Sequence, residues 1–147
     1  MTLGFTFRET MRGSYYLLAD PTAERPMSFT LEVRAKGLVA FARDPVARIG
    51  GTMSIEGFAD HASLEGTLAF RLSGQHRLVY DCEFTGDDAR RYRFRAQKEL
   101  TALAPVESIT TLSGSLYDEA SREIGRATLR FDLRGDLDKL LRSFRLG

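Results

Sequence analysis

The sequence predicts an all-β chain, an antiparallel and roughly eight-stranded barrel with a short C-terminal helix. Three observations carry this. Apolar and polar residues alternate through much of the chain, as in strands with one face in a core and the other in water. The connections between these segments are short and polar. They suit antiparallel neighbours, because a parallel crossover needs about a dozen residues or more. Glycine, next to hydroxyl residues, stands inside four segments, at Gly13, Gly51, Gly66 and Gly114. Glycine in a strand marks a bend or a close backbone approach, as a closed sheet requires.

The elements follow in order. Phe5, Phe7 and Met11 line one face of a long first strand at 4–18. Phe29, Leu31 and Val33 alternate through 27–36, and Met53 and Ile55 mark 48–57. Leu64, Leu68, Phe70 and Leu72 define 63–73, ended by a turn at Gly74. Leu78, Tyr80, Cys82 and Phe84 define 76–86, and Gly86-Asp87-Asp88 makes the next turn. Tyr92, Phe94 and Ala96 share a face of 90–98. A strand at 108–118 follows, and Asp118-Glu119-Ala120-Ser121 turns the chain into 122–134, where Ala127, Leu129, Phe131 and Leu133 alternate. Helical turns are expected at 37–43 and 98–104. Leu137, Leu140, Leu141 and Phe144 form a helical stripe after Asp136, a residue suited to capping.

The 147 residues form a single β-barrel domain, 1–147, long enough to bury a core. Twenty-one basic residues nearly balance twenty acidic ones, which argues against a dedicated nucleic-acid binder. Cys82 is the one cysteine, so neither an internal disulfide nor a multi-cysteine zinc site forms. No apolar run approaches the roughly 20 residues that span a bilayer. The first residues lack the blocks of a signal peptide, and the expected compartment is cytoplasmic.

Catalytic signatures are absent. The chain has no Gly-x-Ser-x-Gly elbow, no phosphate loop and no dinucleotide fingerprint. No cofactor and no metal are expected. His61 and His76 fall in expected turns, and Asp60 beside His61 is the one candidate acid–base dyad. Cys82 reads as a small core residue. Arg91, Arg93 and Arg95 alternate with Tyr92 and Phe94, so the two sets face opposite sides, unlike an RNA platform. The arginines are expected to pair with Glu83, Asp81 or Asp132 on neighbouring strands. Glu9 interrupts the apolar face of the first strand. An inward carboxylate needs a partner, either an inward arginine or the polar end of a ligand.

Several stretches carry a resemblance. They are Phe7-Arg8-Glu9-Thr10-Met11-Arg12-Gly13, Gly57-Phe58-Ala59-Asp60, Leu64-Glu65-Gly66-Thr67-Leu68, Tyr92-Arg93-Phe94-Arg95-Ala96-Gln97-Lys98 and Phe131-Asp132-Leu133-Arg134-Gly135-Asp136-Leu137. Together they resemble a module that accompanies large bacterial flavin oxidoreductases of the glucose–methanol–choline, cholesterol-oxidase-like type. The resemblance implies a lipid or sterol context and no redox activity of this chain. In shape the expected barrel is similar to calycins such as lipocalins, although the chain has no tryptophan for the lipocalin Gly-x-Trp signature.

A barrel of eight strands is either filled by side chains or holds one small ligand. The leading expectation is a non-enzymatic module that binds a hydrophobic or lipid-like small molecule in a cavity of roughly a few hundred Å³. Phe29, Leu31, Phe70, Tyr80, Phe94 and Phe131 are the expected lining, and Glu9, Arg12 and Tyr92 the expected polar contacts. A second expectation is an interaction domain whose arginine-rich wall meets an oxidoreductase or a second copy. A third is a small barrel isomerase or hydrolase that uses Glu9 or His61.

Overall fold

A computed structural model describes residues 5–35, 43–71, 74–100, 110–131 and 145–146. The strands are β1 (Phe5–Leu17), β2 (Asp20–Ala35), β3 (Val46–Ile55), β4 (Ala59–Arg71), β5 (Arg77–Thr85), β6 (Arg91–Glu99), β7 (Thr111–Tyr117) and β8 (Glu123–Arg130). A ninth strand of two residues, β9 (Arg145–Leu146), pairs with Phe5 and Thr6. Each strand from β1 to β8 pairs antiparallel with the next. β1 also pairs with β8, Arg12 opposite Arg130 through Leu17 opposite Gly125, and this closes the barrel. Among the described residues no helix is long and apolar enough to cross a membrane.

Alternation dictates which face is inside. In β6, Tyr92, Phe94, Ala96 and Lys98 are buried, while Arg91, Arg93, Arg95 and Glu99 are exposed. In β2, Met27, Phe29, Leu31, Val33 and Ala35 are buried. Burying one such large apolar side chain stabilises by about 1.5–3 kcal/mol, so the interior supplies most of the cohesion. On the outer wall, Arg93 makes a two-pronged pair with Asp81, its Nε donating to Oδ1 at 2.7 Å. Arg91 lies 3.5 Å from both Glu83 and Glu65. The cross-strand pairing expected of the arginines is thus present at these two positions.

Close approach explains one in-strand glycine directly. Gly66 pairs with Cys82. A Cβ on Gly66 would lie 2.6 Å from the Cα of Cys82 and closer still to the carbonyl oxygen of Asp81. The walls of β4 and β5 meet there too tightly for any side chain.

Several element boundaries differ from the sequence reading, and β4 begins at Ala59, four positions before the expected 63. β2 begins at Asp20, seven positions before the expected 27, because 20–26 extend the hairpin with β1 while β3 joins β2 only at Met27. None of 20–26 is buried, so no alternation marks them, and Pro21 and Pro26 sit where one ladder is unmade. β6 runs through Glu99, so Lys98 and Glu99 are strand rather than the start of a helical turn. The expected turn at 37–43 lies almost wholly outside the described residues, as do 101–104 and the helical stripe at 137–144.

The tight turns β1–β2, β3–β4, β5–β6 and β7–β8 all fall at one end of the barrel. An aromatic cluster fills that end. Phe58 packs edge-on against Tyr15 and Tyr92, with ring centroids at 6.2 and 5.4 Å, and Phe84 stacks on Tyr92 at 5.7 Å. The last residues of β2, β4 and β6 and the first of β3, β5 and β7 lie at the opposite end.

Candidate functional site

Glu9, Tyr80 and Lys98 come together inside the barrel. Glu9 lies on the inward face of β1 between Phe7 and Met11. Tyr80 faces inward from β5 and Lys98 from β6. β1 and β5 are four strands apart in a ring of eight, so the contact spans opposite walls. Tyr80 Oη donates to Glu9 Oε1 at 2.6 Å, and Lys98 Nζ donates to Glu9 Oε2 at 2.7 Å. Lys98 Nζ also sits 5.4 Å from the centre of the Tyr80 ring. The Lys98 and Glu9 side chains are only 3% and 8% exposed. These two are the buried charged residues among those described.

The surroundings are apolar. Phe29 meets the rings of Tyr80 and Phe94 edge-on, both with centroids at 6.4 Å. Glu9 is opposite Leu31, and Lys98 is opposite Leu78, which is opposite Phe70. Phe7, Phe70 and Leu78 are partly buried hydrophobics packed against the core, on the side of the cluster away from the hairpins. Burial first, then the charge of Glu9 and the hydrogen bond to it, push Tyr80 well above the ordinary tyrosine value, so its proton stays in the bond to Glu9.

The structure places the expected site residues in four parts of the barrel. Glu9, Leu31 and Tyr80 are in or beside the cluster, with Phe29 and Phe94 next to Tyr80 and Phe70 at the rim. Tyr92 is inward but belongs to the aromatic end, where its hydroxyl donates to Asp88 Oδ2 at 2.6 Å. Phe131 is buried at the end of β8. Arg12 is exposed on the outer wall, because it follows inward Met11 and successive side chains point to opposite faces. Glu9 therefore pairs with a lysine, Lys98, and not with an inward arginine. The signal for Lys98 was its parity with Tyr92, Phe94 and Ala96. Lysine is rarely buried, and that preference masks the parity.

Other candidates lie elsewhere. His61 Nδ1 is 2.6 Å from Asp60 Oδ1, but both side chains are about four-fifths exposed, at 79% and 82%. His61 belongs to β4 and not to a turn, and it does not converge with Glu9. Cys82 is buried, which pushes its thiol up to about 12 and leaves it a poor nucleophile. Among the described residues no three His, Cys, Asp or Glu side chains converge as metal ligands. Two open grooves, about 490 and 730 Å³, lie on the outer wall, the first beside Arg95, Ser113 and Thr128 and the second beside Arg34, Arg48 and Glu65.

The hairpin end makes a pH prediction. The hydrogen bond to Asp88, then burial, raises Tyr92 from 10.0 to about 12. Burial likewise raises Tyr15, whose hydroxyl donates to the carbonyl of Glu56. A folded tyrosine with a raised value contributes stability that is intact below the unfolded value of 10.0. It is lost as pH rises from there towards about 12. Urea midpoints measured between about pH 9 and 11.5 should fall, and more shallowly in Tyr92→Phe.

The chain matches no protein-family model, no curated protein and no solved structure well enough to assign a family.

Proposed function

We propose that the barrel is a non-enzymatic binding module for a hydrophobic, lipid-like small molecule. The polar end of the ligand meets Lys98 and Tyr80, and its apolar body lies against Leu31, Phe70, Leu78 and Phe7. The observation that carries this reading is the buried Glu9–Lys98 pair in an otherwise apolar interior. Such a pair stabilises a fold little, since apolar residues of similar volume often do as well or better by about 1–4 kcal/mol. A cluster of this cost suits recognition of a polar group in an apolar site. A closed eight-stranded barrel is of a size that can hold one small ligand, and the resemblance to the oxidoreductase-associated module implies a lipid context for it.

The test is native mass spectrometry of the purified chain, followed by solvent extraction. A bound species of a few hundred daltons, apolar with one polar group, is the expected result. A chain that keeps its bare mass when offered a panel of aliphatic alcohols, ketones, esters and acids would contradict the proposal.

A further inference from the structure

The donors and acceptors of the cluster can be counted. Glu9 has two carboxylate oxygens, and each already accepts one hydrogen bond, from Tyr80 and from Lys98. The hydroxyl proton of Tyr80 is committed to Glu9. A lysine ammonium has three N–H donors and no acceptor. Among the described residues its hydrogen-bond partner is Glu9. Among the described residues the cluster therefore leaves N–H donors of Lys98 without a partner, while each Glu9 oxygen has filled one of its two lone pairs. Its charge is complete as well, because one acid and one base sum to zero.

We infer that the ligand of this site is neutral and carries a hydrogen-bond acceptor: an aliphatic ketone, ester or alcohol rather than an ionised fatty acid. This rests on the binding reading above. A carbonyl or hydroxyl oxygen accepts from Lys98 without adding charge. A hydroxyl can also donate to the remaining lone pair of Tyr80 Oη. An ionised carboxylate would place a second negative group beside Glu9 with one ammonium between them. In a site this dry, like charges repel strongly and the unbalanced charge is costly to bury. Glu9 is thus the residue that selects against acids, and Lys98 the residue that recognises the acceptor.

The experiment uses the full chain near neutral pH. Nile red, a neutral dye, is displaced by 2-tridecanone, by methyl laurate and by laurate. The ratio of ketone to laurate affinity is compared between wild type and Glu9→Gln, so that differences in water solubility cancel. Removing the carboxylate leaves the positive charge of Lys98 without its counter-charge. The ratio should shift towards laurate by about tenfold or more, one step of binding free energy on the usual scale. If Glu9→Gln does not fold, Lys98→Gln replaces it. That variant leaves Glu9 as the surplus charge, and the ratio should move the other way, away from laurate. An unchanged ratio in the folded variant overturns the inference while leaving the binding reading intact. Failure of wild type to take up the dye or any of the three ligands overturns the binding reading and this inference with it.

Discussion

Lys98→Met is expected to destabilise the chain by about 3–5 kcal/mol, because it leaves the Glu9 carboxylate buried opposite an apolar side chain. The methionine fills most of the volume that lysine occupied, so the loss reports the unpaired charge more than a cavity. Tyr80 still donates to Glu9, but one hydrogen bond from a neutral hydroxyl does not offset a whole charge. The diagnostic comparison is the combined variant Glu9→Leu, Tyr80→Phe, Lys98→Met. It removes every buried polar group of the cluster at once, and stability should return to the wild-type value or above. Equilibrium urea denaturation measures both. If the single variant is as stable as wild type, Glu9 and Lys98 are not buried together. If the combined variant is as unstable as the single one, the cluster holds the walls of β1, β5 and β6 together by contacts that apolar side chains cannot replace.

Gly66→Ala is the second large effect expected, a loss of at least about 3 kcal/mol, at or beyond the upper end of ordinary overpacking. One methyl group would meet the backbone of Asp81 and Cys82, which cannot rotate away as a side chain can. Relief requires β4 and β5 to part, and their ladder runs from Leu64 opposite Phe84 to Arg71 opposite Arg77. Gly50 is the control. It lies in the adjacent strand β3, opposite Glu65, and a Cβ there has 3.8 Å to its nearest neighbour, the carbonyl oxygen of Leu64. Gly50→Ala should change stability by less than about 0.5 kcal/mol. Similar losses at both positions would show that close backbone approach does not set the cost.

The barrel was legible because period-two alternation survives almost everywhere one face is buried. Phe29, Leu31 and Val33, or Tyr92, Phe94 and Ala96, announce both a strand and its inner face. The early start of β2 was not legible, since residues 20–26 are paired on one side and buried on none, so their side chains carry no pattern. The candidate site was half legible. Glu9 stands out as a carboxylate between Phe7 and Met11, and its need for a partner follows from the cost of burying charge. The partner did not stand out, because Lys98 lies next to the end of its strand and reads equally well as the first residue of a polar turn. Tyr80 was placed inside by parity, but its bond to Glu9 reaches across 71 positions of sequence and four strands of barrel, a relation that closure alone creates. Arg12 has the chemistry of a polar contact, but it directly follows inward Met11 in β1 and so faces outward.

A ligand bound as proposed lies inside the barrel at the Glu9–Lys98–Tyr80 cluster. Met11, Met27 and Met53 are all buried in the interior, at 0%, 3% and 1% exposure, and Met11 lies two residues along β1 from Glu9. Their ε-methyl groups, labelled with carbon-13, are direct reporters. On titration with 2-tridecanone the Met11 methyl signal should shift, together with side-chain signals of Lys98. Shifts confined to the outer groove, at Ser113, Ser115 and Thr128, with all three interior methyl signals unmoved, would contradict it.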